Sequence, residues 1–266
     1  MASFTDQLNK QVNLSETPKR IISLVPSQTE LLFDLGLDNE VVGITKFCVH
    51  PDEWFRTKTK VGGTKIYDFE KIKSLNPDLI IGNKEENEQQ QIEKLMKEYP
   101  VWMSDIKTLD ENYKMIESIG EIVNRKEKTN EIVNTIKKNY SQLLPIAIGT
   151  TNHKLQTAYF IWQKPFIVAG KETFINHLME KCGMENTFIN LDSRYPEVSE
   201  EQIANTKADL ILLSSEPFPF KEKHIETFRK ISPASKILLV DGELFSWYGS
   251  RLIKSPAYFS QLLGNL

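Results

Sequence analysis

Aromatic and guanidinium side chains gather in the turn-rich second half of this sequence. Trp162, Pro165 and Phe166 close one apolar run, Arg194 and Tyr195 stand in the following loop region, and Phe218 and Phe220 come after the run Leu210–Leu213. The stretch DGELFSWYGSR, residues 241–251, adds Phe245, Trp247, Tyr248 and Arg251. Aromatic faces suit a broad, flat, partly apolar ligand, and guanidinium groups suit carboxylate, phosphate or amide oxygens at its edge. Each aromatic taken singly reads equally well as a half-buried loop side chain. The whole cluster, set in polar and turn-rich surroundings, is harder to explain as core filling. In the first half, Cys48 and His50 form a C-x-H pair. His50 can offer one axial ligand to a metal in a bound cargo; an ordinary pair of loop side chains is the plainer reading.

Other chemistries find little support. His153, His177 and His224 share no spacing, and a structural zinc site needs several ligands brought together. No intrinsic metal site or cofactor is therefore expected. The chain has no G-x-S-x-G elbow, no G-x-G-x-x-G, no H-E-x-x-H and no complete P-loop, so it is not expected to be an enzyme. A formal net charge of −3 lacks the basic excess of a nucleic-acid grip. No stretch is apolar enough to cross a membrane. Two cysteines, Cys48 and Cys182, are too few for a disulfide framework.

The elements that must position these residues alternate between strand and helix. At 266 residues and 40% hydrophobic content the chain can fill one large core or two modest ones. Residues 1–18 are polar and read as an arm or short hairpin. Strands are expected at Arg20–Val25, Val41–Thr45, Leu79–Gly82 and Val101–Met103. Helices are expected at Gln28–Leu35 capped by Ser27, then Asp68–Leu75, Glu85–Tyr99 and Leu109–Val123. The second half repeats the pattern: strands at Gln156–Trp162, near Phe188, at Leu210–Leu213 and at Lys236–Val240. Its helices are expected at Thr173–Cys182, Ser199–Thr206, Glu222–Lys230 and Ser255–Leu263. Such alternation predicts α/β lobes with parallel sheets, whose ligands sit where strands end.

Between the halves, Ile132, Val133, Ile136, Tyr140 and Leu143 recur at helical spacing opposite Lys128, Glu131, Asn134, Lys137 and Lys138. The spacing predicts a helix over Arg125–Leu143, with Asn124 and Glu127 as capping box and Pro145 as the stop. Around it lies an internal repeat. Aligning Asp78 with Asp209 places Glu70 on Glu201, Ile72 on Ile203 and Leu79 on Leu210, and Gly36 falls likewise on Gly183. The expected organisation is an N-terminal lobe of residues 1–124, a connecting helix of residues 125–144 and a C-terminal lobe of residues 145–266.

Taken in order, RIISLVPSQTELLFDLGL, EKIKSLNPDLIIG, the lone connecting helix, and PFIVAGKETFINHLMEKCGMENTF followed by RYPEVSEEQI resemble the helical-backbone (class III) substrate-binding proteins of ABC importers. That class receives cobalamin, ferric siderophores and haem, and the similarity runs from about Arg20 onward, nearest to the cobalamin-binding branch. The resemblance implies two Rossmann-like lobes with mainly parallel sheets, one long backbone helix and a ligand cleft between the lobes. It implies capture of a metal chelate, cobalamin or another corrinoid first and ferric siderophore or haem as alternatives, by a monomer that delivers it to the importer's membrane subunits.

Phe166, Tyr195 and Arg251 fall where cobalamin binders place ligand-contacting groups. In the first lobe the matching positions hold Thr64 and Asn83 rather than large aromatics, which leaves Trp54 and Tyr67 as substitutes. Glu70 and Glu201 match the glutamates that pair with arginines on the two membrane subunits; stabilisation of a helix N-terminus is the alternative. The opening residues, MASFTDQLNKQVNL, carry no secretory signal. Either a signal was removed and the protein works in the periplasm or outside the cell, or it is a cytoplasmic corrinoid chaperone or sensor.

Overall fold

The computed structural model describes residues 2–149 and 154–266, and side chains everywhere in them except 144–149. His153 lies outside the described residues. The backbone divides into two compact units: Met1–Ile106 with Asp110–Ile136 and Tyr248–Arg251, and Lys107–Leu109 with Lys137–Trp247 and Leu252–Leu266. Among the described residues no helix is long and apolar enough to cross a membrane.

The first unit opens with a hairpin of β1 (Ala2–Thr5) and β2 (Gln11–Leu14), paired antiparallel. Its turn is fixed by Asp6, whose Oδ1 accepts from the backbone N–H groups of Leu8 and Lys10 at 2.9 and 2.7 Å. Then follow β3 (Ile21–Ser23), α1 (Pro26–Asp34), β4 (Val41–Ile44), α2 (Asp52–Thr57), β5 (Thr59–Lys60), α3 (Phe69–Leu75), β6 (Leu79–Asn83), α4 (Gln89–Leu95), β7 (Val101–Ser104) and α5 (Leu109–Ile122). The five later strands form one parallel sheet in the order β5-β4-β3-β6-β7. Strands buried on both faces read as continuous apolar runs, which is why Ile21–Ser23 and Leu79–Asn83 are fully buried. The order reverses between β3 and β6, and the carboxyl ends of that pair mark the crevice where such sheets bind ligands.

Helix α6 (Lys126–Gly149) buries Ile132, Val133, Ile136, Tyr140 and Leu143, the face expected from their spacing. Its ends differ from expectation. Asn124 has φ 54° and closes α5 in the left-handed conformation instead of capping α6. Pro145 does not stop the helix, which runs on to Gly149; a proline removes one donor, and propagation on both sides can outweigh that loss. The division between the two units falls within this helix, after Ile136.

Three further expectations in the first unit are corrected. Pro26 takes the first position of α1, so Ser27 sits one residue inside the helix and caps nothing. Helix α4 begins only at Gln89, because Asn83 Oδ1 accepts from the N–H groups of Glu85 and Glu86 at 2.8 and 3.1 Å and holds that stretch as a turn. The stretch 46–65, to which the sequence assigns no element, contains α2 and β5.

The second unit runs β8 (Leu155–Trp162), β9 (Phe166–Val168), α7 (Phe174–Lys181), β10 (Met184–Asn186), β11 (Glu197–Val198), α8 (Glu200–Asn205), β12 (Leu210–Ser214), α9 (Glu222–Ile231), β13 (Lys236–Val240), α10 (Gly242–Ser246), a 3-10 turn (Gly249–Ile253) whose first residues belong to the first unit, and α11 (Ser255–Gly264). Strands β10, β8, β12 and β13 are parallel, while β9 and β11 add an antiparallel edge to the later part of β8. The strand expected near Phe188 lies earlier: Asn186 Oδ1 turns the chain by accepting from Phe188 N–H at 2.9 Å, and Phe188 drops into the core.

The internal repeat is visible in backbone conformation. Gly36 and Gly183 both have φ 74°, and Asn76 and Lys207 have φ 44° and 48°. Asp78 accepts from Lys19 and Arg20 N–H at 2.8 and 2.9 Å, while Asp209 accepts from Gln156 N–H at 2.9 Å. In each unit one carboxylate therefore pins the start of the first parallel strand. Asp68 and Ser199 cap α3 and α8 with their side chains, and Ile72 and Ile203 are buried.

The segment Tyr248–Arg251 is built into the first unit. Arg251 Nε and Nη2 donate to the two carboxylate oxygens of Glu30 at 2.7 and 3.1 Å, and both side chains are only 9% exposed. Asn112 Oδ1 accepts from Gly249 N–H at 2.6 Å, and Gly249, at φ 85°, passes close to Ser27 and Leu31 of α1. A buried ion pair broken on one side leaves an uncompensated charge, so Arg251→Ala should cost about 3–5 kcal/mol in urea unfolding, and the double change Glu30→Leu with Arg251→Met should recover most of it. A cost under about 1 kcal/mol for the single change would contradict this account.

Candidate ligand-binding surfaces

The sequence offers Trp54 and Tyr67 as ligand contacts of the first unit, and the structure buries both. Trp54 is fully buried, meets Phe33 edge-on with ring centroids 5.4 Å apart, and donates its indole N–H to Asp38 Oδ1 at 2.7 Å. Hydrogen bonds from Lys58 and Trp54 hold the Asp38 carboxyl below the ordinary range. Tyr67 belongs to the core cluster around Ile72 and Ile80, with its hydroxyl donating to Thr64 O at 2.8 Å. Burial pushes that phenol up. A large aromatic with one satisfied polar atom gains more from the core than from the surface.

Tyr248 and Arg251 are buried as well. Arg251 is committed to Glu30. The Tyr248 phenol lies beside the Ser27 and Ser104 hydroxyls, and burial drives its pKa up. These groups crowd the carboxyl ends of β3, β6 and β7, where Gln28 Nε2 and Asn83 Nδ2 both donate to Ser104 Oγ at 2.7 and 2.9 Å. Asn87 Nδ2 spans the same place, donating to Leu24 O at 3.3 Å and Thr64 O at 3.0 Å. Hydrogen-bonded side chains thus line the strand-order reversal.

What this unit offers to a ligand is a set of residues the sequence did not single out. Among the described residues six large hydrophobic side chains are exposed, and three of them, Phe47, Val49 and Ile66, stand on the loops after β4 and β5. The Phe47 ring lies under the Lys46 ammonium, 5.1 Å from its centroid, and against Gly63, where an added Cβ would come within 3.2 Å of the ring. Gly63 N–H in turn donates to Ile66 O at 2.8 Å. The signal available in sequence was the apolar pair Phe47 and Val49 flanking a short strand's end; Cys48 between them masked it. Cys48 itself points inward, fully buried, with Thr29 Oγ1 donating to its sulfur at 3.1 Å, and burial pushes the thiol up. His50 is half-buried. Among the described residues no group of three or more His, Cys, Asp or Glu side chains could hold a metal ion.

In the second unit, Trp162 at the end of β8 is 38% exposed and packs edge-on against half-buried Phe218, ring centroids 5.5 Å apart. Phe218 N–H donates to Ile161 O at 3.3 Å, which ties the loop after β12 to the end of β8. Behind them Phe220 and Phe228 continue the aromatic stack into the core. Phe166 packs on Phe160 and Phe228 and lines a shallow depression of about 540 Å³ with Gln163, Lys164, Pro165, Glu197 and Glu200 among its walls. Arg194 Nε donates to Glu172 O at 2.9 Å and, with Tyr195, is half-buried in a loop that rests on Gly170. Trp247 is buried at the end of α10, so it belongs to the fold more than to a surface. The structure brings Trp162 and Phe218 together, and keeps Phe166 at the start of β9 and Arg194 and Tyr195 on the loop before β11 of the same unit.

Glu70 and Glu201 are both exposed at the second residue of α3 and α8, equivalent helices with equivalent caps. Neither carboxylate is needed for capping, which Asp68 and Ser199 perform.

Comparison with known proteins agrees with this architecture. Over most of its length the chain is similar to the "Vitamin B12-binding protein" of Pectobacterium carotovorum, 24% identical over 237 residues that cover 89% of this chain and 85% of the relative. An "Uncharacterized ABC transporter substrate-binding lipoprotein" of Bacillus subtilis is 27% identical over 264 residues, 95% of this chain and 82% of the relative. The crystal structure of the periplasmic vitamin B12 binding protein BtuF of Vibrio cholerae has the same fold, with a TM-score of 0.81 and 22% identity over 94% of this chain and 98% of that one. Residues 21–231 match the family described as "Periplasmic binding protein", and by that match the chain belongs to the periplasmic binding protein family.

Proposed function

We propose that this chain is the cargo-binding component of an ABC importer and that its cargo is a metal chelate, a corrinoid of the cobalamin type. The observation that carries the reading is the exposed apolar and aromatic surface on carboxyl-end loops of each unit: Phe47, Val49 and Ile66 in the first, Trp162 with Phe218 in the second. Exposed large hydrophobics concentrated at the loops where α/β sheets bind ligands fit a broad ring system better than a small polar solute. Family membership and relatives named for vitamin B12 and for ABC transport support the same cargo and the same partner. In this reading the protein works outside the cytoplasmic membrane as a binding protein without catalysis.

Binding needs no chemical step. The aromatic faces and aliphatic side chains cover the ligand's flat surface, and Lys46, Arg194 and backbone groups meet polar substituents at its edge. Titration of cyanocobalamin, haemin and a ferric siderophore, followed by tryptophan fluorescence, tests the cargo. Phe47→Ala with Trp162→Ala should weaken the preferred ligand at least tenfold while leaving thermal unfolding nearly unchanged, because two aromatic contacts are worth a few kcal/mol and both side chains are exposed. Unchanged affinity would place the cargo elsewhere; preference for haemin or siderophore would replace the corrinoid.

Docking on the importer falls to Glu70 and Glu201, exposed carboxylates held at equivalent helix starts. Exposed charges chiefly govern encounter and register. Glu70→Lys with Glu201→Lys should keep cargo affinity within twofold and abolish complementation of cobalamin uptake in cells lacking their own binding protein. Normal uptake by the double variant would remove these residues from the docking surface.

A further inference from the structure

Glu216 sits on the loop after β12, two residues before Phe218, and the mechanism above gives it no part. It is half-buried, and its Oε1 accepts from Ser246 Oγ at 2.7 Å. The Trp247 side chain is hydrogen-bonded to the same carboxylate. Its backbone is fixed by Ser214: Oγ donates to Glu216 O at 2.6 Å and accepts from Glu216 N–H at 3.3 Å. Packing here is tight. A Cβ added at Gly242 would overlap Ser214 Oγ and lie 2.6 Å from Glu216 Cγ.

The carboxyl group therefore joins two pieces of the second unit. On one side is the loop whose Phe218 backs exposed Trp162; on the other is α10 with Ser246 and Trp247, the residue just before the Glu30–Arg251 clasp. We propose that Glu216 is a positioning residue for the cargo-facing Trp162–Phe218 pair, and that gain or loss of its proton changes cargo affinity. The inference rests on the reading of Trp162 and Phe218 as cargo contacts.

The charges around it give this proton a consequence. Burial, followed by the nearby carboxylates of Glu243 and then Asp241, pushes Glu216 above the ordinary carboxylate range, while the bonds from Ser246 and Trp247 pull it down. From β8, Tyr159 donates its hydroxyl to Ser214 Oγ at 3.2 Å, and from α11 the Tyr258 hydroxyl accepts from Asp241 N–H at 2.9 Å. The charged groups acting on Glu216 are thus both acidic. With a folded pKa above the unfolded one, the neutral acid is the form the fold prefers. Stability from this group is present on the acid side and is lost as pH rises through the raised folded pKa. Ionisation sets three carboxylates against one another and loosens the loop from α10.

The test uses the full chain at pH 4.5 to 8.0, with hydrogen exchange of the Phe218 and Phe220 amides, corrected for intrinsic rates, and cyanocobalamin affinity as readouts. In the unsubstituted protein the amides should exchange at least threefold faster, and cyanocobalamin should bind at least threefold more weakly, at the alkaline end of this range than at its acid end. Glu216→Gln keeps an acceptor for Ser246 and Trp247 without the charge, so it should hold the acid-side values throughout. Ser246→Ala, which removes a bond to the ionised form, should move the midpoint of the profile to higher pH. A pH dependence that survives in Glu216→Gln, a flat profile in the unsubstituted protein, or an unmoved midpoint in Ser246→Ala would overturn the proposal. Because exchange is read in the free protein, absence of cyanocobalamin binding at every pH refutes the cargo reading, while exchange still decides the role of Glu216.

Discussion

A charge removed from water must be paired, and in the first unit Glu30 and Arg251 meet that demand with each other. Glu30 stands on α1, directly after the first parallel strand; Arg251 stands near the end of the chain. Their bidentate bond draws Tyr248–Arg251 into the first unit, seats Gly249 against α1 and Asn112, and packs Tyr248 among the hydroxyls at the carboxyl ends of β3 and β7. This clasp lies at the strand-order reversal, where an open α/β sheet ordinarily admits a ligand. In the proposed reading the cargo is met by loops farther along the sheet, where Phe47, Val49 and Ile66 are exposed.

The second unit uses the same plan with a different outcome. Its first strand is anchored by Asp209 as the first unit's is by Asp78, and its helices start from equivalent caps. At its strand-order reversal, however, the ends of β8 and β12 carry Trp162 and Phe218 in edge-on contact with one face open. A duplicated scaffold thus presents aromatic surface at the reversal in one unit and beside it in the other. The loop that bears Phe218 is held by Glu216, a carboxyl group whose neighbours make its ionisation costly.

Much of this was legible in the sequence because it depends on local rules. Alternating apolar runs and amphipathic stretches gave the strand–helix order, and the glycines that the repeat aligns, Gly36 and Gly183, share one left-handed conformation at a helix end. The repeat offset located Glu70 and Glu201 correctly on exposed helix starts. The candidate contacts that are buried share a cause: their environment is set by partners distant in sequence. Trp54, Tyr67 and Arg251 have side chains suited to a ligand, yet Asp38, the core around Ile72 and Glu30 claim them. Phe47 was passed over for the opposite reason, since nothing near it in sequence reports that Gly63 and Lys46 will hold its ring at the surface. Asn83 and Asn124 were misjudged because an asparagine that favours a turn was weighed only as a helix starter or a ligand contact.

The central claim is that cargo contacts come from the exposed loops and that the buried aromatics serve the fold. Hydrogen exchange measured with and without saturating cyanocobalamin tests it most directly, because it maps contact along the whole backbone in one experiment. The account predicts added protection at residues 45–51 and 62–67 in the first unit and at 161–166 and 215–220 in the second, with the amides of 52–57 and 248–251 unchanged. Protection confined to 52–57 and 248–251, with the exposed loops exchanging as in the free protein, would contradict it.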